Sequence, residues 1–416
     1  MPATRLTALT TFTLAALALP AWAQQQPATG QAVGQCLAIG GALKDDNAEV
    51  FRWMTTRRDT GKVVVCAYAT SQPEGADKRM AERLTKNGWK GTVVQLPDAL
   101  KGPDDRKLAV EWLPHADLVF FTGGDQSRIM ERFKAAPDLR QALDTGMHKW
   151  ATPIAGTSAG AAVMSDPMFT GGGSESALAG TTADDGEKDD PPTPPKPGDK
   201  PAEPQRPKHG LQIGPGLGIV QPMIDTHFFA RGRFGRLVAA LDETRKPYGI
   251  GVDENRAVSI TGGSICTALG DSAALLVDAT NLKRDGLSRT GTRISLMSDG
   301  DRWDWPREGA HPSGFRAART LTPGPVPVAA PQLPADKPIP GAWARNVALD
   351  MLKRLAADPK ATQVAQSDRF QVVISADEQT RFGYDPARPG ALTVVNARLD
   401  ILERKPAAPS AKPQDP

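Results

Sequence analysis

The sequence predicts an α/β fold, a three-layer sandwich with a mainly parallel central sheet covered by helices on both faces. Three observations lead there. Short apolar runs alternate with segments of helical period from Gln35 to Ser165, the pattern of a parallel sheet. Glycine signals at Gly40-Gly41, Gly123-Gly124 and Gly156 to Gly160 each follow an apolar run, at the strand ends where such sheets bind ligands. The 416 residues are 40% hydrophobic and 23% charged, which is enough apolar content for a sizeable core.

Each element follows from local composition. "CLAIGGAL" from Cys36 is a buried strand closed by glycines, and "AEVFRWMTTR" is helical. "KVVVCAYAT" is β-branched and reads as a strand, followed by the helical "ADKRMAERLTKNGW". "TVVQLP" and "ADLVFFTGG" are further strands; "QSRIMERFK" and "LRQALDTGMHKW" are helices. "TPIAGTS" is the next strand and "AGAAVMS" the next helix start. Strands resume at "GLQIGPGLGIVQPMIDTHF" and "YGIGVDENRAVSITGGSICTALGDSAALLVD", and "RTGTRISLMSDGDRWD" reads as a late hairpin or edge strand.

Composition also sets the boundaries. The N-terminus carries Arg5, an apolar stretch from Leu6 to Leu19 and the A-x-A site Ala21-Trp22-Ala23, the pattern of a signal peptide over 1–23. Export is therefore expected, to the periplasm or the medium, with no membrane span after cleavage. A catalytic α/β domain is assigned to 34–300. Within it, 181–208 is rich in Pro, Asp and Lys and cannot bury a core. Residues 301–341 read as a Pro-rich linker and 342–404 as a C-terminal extension. That extension has an amphipathic helix with Val347, Leu349, Met351, Leu352 and Leu355 on its apolar positions, then two strands. The tail 405–416 reads as disordered. A net charge of +3 over this length argues against a nucleic-acid binder. The odd set Cys36, Cys66 and Cys266 leaves at least one free thiol, and the five histidines show no zinc spacing, so no metal is expected.

Gly156-Thr157-Ser158-Ala159-Gly160 fits the G-x-S-x-G elbow, in which small neighbours let a nucleophile sit on a sharp strand-to-helix turn. The Ala159 N–H would face an oxyanion, with a second donor near Gly124. The pattern alone is also that of an ordinary tight turn, so the rest of the machinery must be sought. Of His115, His148, His209, His227 and His311, His227 stands apart. It follows an apolar run and precedes Arg231, Arg233 and Arg236, which suit an acidic substrate. A base needs an acid to fix its tautomer; Glu254 is the nearest by motif, with Asp253 and Asp225 as rivals. The order Ser, His, acid differs from that of α/β-hydrolases, where the acid precedes the histidine.

Together, "IGGA" (39–42), "FTGGDQ" (121–126), "GTSAGA" (156–161), "DTHFFARGRFGRL" (225–237) and "GIGVDENRAV" (249–258) resemble cyanophycinases. These are serine peptidases related to aspartyl dipeptidases, on a flavodoxin-like scaffold similar to class I glutamine amidotransferases. The resemblance spans about Cys36 to Asp278. It implies Ser158 as nucleophile, His227 as base and Glu254 as its acid, with Gln126, Asp225, Thr226, Arg231, Arg233 and Arg236 shaping the substrate site. It implies no cofactor, a homodimer, and cyanophycin as substrate: a poly-aspartate backbone with arginine on each β-carboxyl, released as β-aspartyl-arginine. Thr226 departs from the glutamine expected between Asp and His, which leaves room for other acidic β-linked peptides. The rival readings are an aspartyl or isoaspartyl dipeptidase and a non-catalytic binding protein of the same fold.

Overall fold

The computed structural model describes residues 34–55, 60–180, 210–305, 314–331 and 338–404. The expected signal peptide, the insertion 181–208 and the tail 405–416 lie outside the described residues. Five apolar runs form β1 (Cys36–Ile39), β2 (Lys62–Cys66), β3 (Thr92–Gln95), β4 (Leu118–Phe121) and β5 (Ile154–Thr157). They pair in parallel in the order β1-β5-β4-β2-β3. Between them run α1 (Ala48–Thr55), α2 (Ala76–Lys86), α3 (Pro103–Trp112), α4 (Gln126–Ala135) and α5 (Pro137–Lys149), and α6 (Ala159–Ala162) follows β5. The helix α3 escapes the sequence reading, because its charged "PDDRKLAVEW" buries only Ala109 fully. A parallel strand must return by a crossover, which is why the strand and helix signals alternate.

The chain continues through β6 (Met168–Gly171), α7 (Ser174–Ala179), β7 (Gln212–Gly214), β8 (Met223–Thr226), α8 (Phe234–Thr244) and β9 (Tyr248–Val252). Then come β10 (Ala257–Thr261), β11 (Ile265–Leu269), β12 (Ala274–Asp278), β13 (Lys283–Asp285), β14 (Ser288–Met297), β15 (Arg302–Asp304), β16 (Gly314–Arg316) and β17 (Leu321–Thr322). The last elements are β18 (Ile339–Pro340), α9 (Val347–Ala357), β19 (Gln363–Gln366), β20 (Phe370–Ser375), β21 (Arg381–Tyr384) and β22 (Leu392–Glu403). Strands β10, β11, β15 and β16 extend the first sheet antiparallel from β1. A second, mostly antiparallel sheet has the order β18-β19-β20-β22-β14-β12-β9-β8. One point differs from the sequence reading. The segment containing β14 is an interior strand between β12 and β22, because its long-range partner comes from the C-terminal extension. Gly235 lies inside α8, whose start follows a turn through Gly232 at φ +58°.

Side chains alternate between cores with a period of two. On β1 and β2, Leu37, Ile39, Val63 and Val65 face α1 and α2, while Cys36, Ala38, Val64 and Cys66 face a core shared with α5 and the second sheet. On β12, Ala274 and Leu276 join that shared core, whereas Leu275 and Val277 face α8 and α9. In α9, Met351, Leu352 and Leu355 are fully buried, as the amphipathic pattern requires. The three cysteines are free and buried, and burial pushes each thiol up to about 12. No helix among the described residues is long and apolar enough to cross a membrane.

Candidate active site

Ser158 sits between β5 and α6 with φ 53° and ψ −115°, a strained conformation that costs about 1–3 kcal/mol. The turn demands its glycines. A Cβ on Gly156 would lie 2.1 Å from the Gly160 carbonyl oxygen, and one on Gly160 would lie 2.3 Å from that of Phe121. The Ser158 N–H donates to Ile39 O at 3.0 Å, and Ser158 O accepts from Ala161 and Ala162. The hydroxyl is thereby fixed at the carboxyl edge of the parallel strands.

His227 follows β8 with φ 51°, and Glu254 follows β9. The ring Nδ1 lies 2.8 Å from Glu254 Oε1, and Nε2 lies 2.8 Å from Ser158 Oγ. With Glu254 ionised, Nδ1–H donates to the carboxylate and Nε2 is left to accept from the serine hydroxyl. The sequence named three acids for this place, and the geometry separates them. Asp253 Oδ1 accepts the N–H groups of Phe229 (3.0 Å) and Ala230 (2.9 Å), bracing the turn after His227. Asp225 Oδ1 and Oδ2 accept from Arg236 Nη2 (2.6 Å) and Nε (2.8 Å). Only Glu254 reaches the histidine ring.

The loop after β1 organises this corner, a role the sequence reading did not assign to "IGG". Gly40 O accepts from the His227 N–H at 2.7 Å, Gly41 O accepts from Asn255 N–H at 2.8 Å, and the Gly40 N–H donates to Arg256 O. Gly41, at φ +107°, lies so close to the imidazole that a Cβ would stand 2.2 Å from His227 Cε1. The signal was present as paired glycines at a strand end; its meaning needed the distant loops in place.

The remaining expected site residues fall into two groups. Gly124 (φ +135°) and Ala159 end and begin the turns beside Ser158, and among the described residues neither N–H has a protein acceptor. Gln126 opens α4 and donates from Nε2 to Phe169 O at 2.5 Å. Arg231 is half-buried, and its N–H donates to His227 O at 2.9 Å. The other group is turned inward. Asp225 and Arg236 are 1% and 4% exposed, and Arg236 also donates to Gly172 O at 2.6 Å. Arg233 donates to Thr226 O at 3.0 Å, and Thr226 is itself buried. The expectation that Asp225 and Arg236 meet substrate is corrected by burial: they clamp β8 to α8 beneath His227 and have no surface to offer a peptide.

Burial raises the Asp253 carboxyl above its ordinary range, the nearby Glu254 charge adding to the rise and the N–H donors opposing it. A carboxyl raised on folding binds protons more readily in the folded state, so its ionisation weakens stability as pH rises through that range. Asp253→Asn, which keeps an oxygen acceptor without the charge, is therefore expected to hold or raise the melting temperature at neutral pH. Asp253→Ala strands two N–H groups and is expected to cost about 1–3 kcal/mol in a denaturant titration. Equal stability of the two variants would remove the bracing role.

Comparison with known proteins places the chain near one peptidase family. Residues 37–183, which include Ser158, match the model of "Peptidase family S51". The chain is 25% identical over 286 residues to a cyanophycinase of Geminocystis herdmanii, covering 64% of this chain and 92% of that one. It is 31% identical over 199 residues to a cyanophycinase of Trichormus variabilis, covering 44% and 56%. Among solved structures, a peptidase from an acI-B1 Actinobacterium superposes with a TM-score of 0.41 at 15% identity, over 66% of this chain and 98% of that one. These sequence matches support a cyanophycinase-like, S51-type serine peptidase.

Proposed function

We propose that the chain is an exported exopeptidase that hydrolyses cyanophycin to β-aspartyl-arginine, with Ser158 as nucleophile. The observation that carries the proposal is the unbroken chain from Ser158 Oγ through His227 to Glu254, with both links at 2.8 Å. Ser158 Oγ attacks a backbone carbonyl of the poly-aspartate chain, and His227 Nε2 takes the hydroxyl proton. Glu254 holds the ring and stabilises the imidazolium that forms. The Gly124 and Ala159 N–H groups receive the oxyanion, which strengthens binding in the transition state rather than the ground state. His227 then gives its proton to the leaving amine, and water repeats the sequence on the acyl-enzyme. No step calls for a metal or an organic cofactor.

The substrate assignment draws on the cyanophycinase relatives and on the arginines that follow His227 in the chain. Of these, Arg231 is half-buried on the turn that follows His227, whereas Arg236 is enclosed and Arg233 donates to Thr226 O. Incubation of the purified protein with insoluble cyanophycin and mass analysis of the soluble products tests the reading. Release of β-aspartyl-arginine supports it. Turnover of short β-aspartyl peptides with none from the polymer would replace it by the dipeptidase reading, and no turnover of either would remove both. N-terminal sequencing of protein recovered outside the cytoplasm, beginning near Gln24, is the result expected for export.

A further inference from the structure

The acid at the end of the relay has a second partner that comes from the far end of the chain. Glu254 offers Oε1 to His227, and its other oxygen, Oε2, lies 3.5 Å from Arg345 Nη2. Arg345 belongs to the segment that joins β18 to α9, and that segment is fastened to the His227 turn at several points. The Asn346 N–H donates to Phe229 O at 2.8 Å. The Trp343 carbonyl lies directly over Gly232, where a Cβ would stand 1.9 Å from it. The Trp343 ring packs on Phe234 with centroids 5.0 Å apart, and its Nε1 donates to Glu175 Oε2 at 2.6 Å. The Ala342 N–H donates to Gln366 O, tying the same segment to β19. A surface arginine held on so constrained a backbone is placed, whereas one on a free loop is not.

We propose that Arg345 is a positioning residue for the reaction: it holds the Glu254 carboxylate so that Oε1 stays on His227 Nδ1. This rests on the Ser158–His227–Glu254 reading above. It also gives the C-terminal extension a share in the active site. The Glu254 side chain is 21% exposed, so solvent leaves its carboxylate free to rotate unless its second oxygen is engaged. The Arg345 side chain is 65% exposed, so the pair is weak and its effect is small but directional.

The test is a series at position 345, read as kcat and KM separately on whichever peptide the parent protein cleaves. An exposed pair of this kind predicts about a 2- to 5-fold loss of kcat in Arg345→Ala with KM unchanged. Arg345→Lys, which keeps a single charged donor, should recover most of that loss. Arg345→Glu, which sets two carboxylates together, should fall below alanine. Melting temperatures within a degree or two of the parent are expected, since the side chain is exposed. A rise in KM with constant kcat would make Arg345 a substrate contact and overturn the proposal, as would equal kcat across the series. A lower melting temperature with unchanged kcat would make it a structural clasp only, which also overturns it. Ser158→Ala, run beside the series, separates the failures: if it keeps activity, the underlying triad reading is what fails.

Discussion

Ser158→Ala is expected to lower kcat by about 10⁴- to 10⁶-fold while leaving the protein folded. The hydroxyl oxygen lies 2.8 Å from His227 Nε2, and alanine removes that oxygen and nothing else from the turn. The backbone keeps its φ of 53° in either case, because the N–H to Ile39 and the carbonyl to Ala161 and Ala162 do not involve the side chain. Stability should change by about 1 kcal/mol, the value of one hydrogen bond. His227→Ala should cost a similar factor, and the double variant little more than either alone, because the groups act as a unit. Single-turnover product release and a thermal melt on the same preparations check both halves. A serine variant that kept a tenth of the parent rate would refute the nucleophile.

The second large effect is on folding. Asp225→Ala is expected to destabilise the protein by about 3–5 kcal/mol, because it removes the buried carboxylate that pairs with the Arg236 guanidinium. Both partners are almost inaccessible, and Arg236 is fixed by two bonds to Asp225, one to Gly172 O and a Phe169 ring 4.8 Å below it. The cost lies in breaking a buried ion pair more than in the lost contact. Replacing both groups at once, as in Asp225→Leu with Arg236→Met, should therefore recover most of the stability. Denaturant midpoints for the single and double variants measure this directly. Had the pair been a substrate contact, Asp225→Ala would instead raise KM and leave the midpoint alone; that outcome would restore the role the sequence first suggested.

Much of this protein was legible in one dimension. Runs such as "KVVVC" and "LVFF" can only be buried strands, and their alternation with helical segments set the parallel half of the first sheet. The tight turn at Ser158 was also legible, because its steric demands are met within five consecutive residues. Local sterics decide such features, and local sterics are written in local sequence. The choice among Asp225, Asp253 and Glu254 was of another kind. They lie at similar strand ends, and which one meets His227 depends on left-handed turns at His227 and Asn255 and on the Gly40–Gly41 carbonyls that hold those turns. The fate of Asp225 and Arg236 likewise depended on what covers them. The second sheet required β22 to find β14 across the chain, and Arg345 required the extension to fold back over Gly232. The sequence by itself determined the strands, the elbow and the set of residues from which a site could be built. Closure of distant segments alone decided which of those residues share a hydrogen bond and which are sealed away, because burial and pairing are properties of neighbours that no single stretch of chain contains.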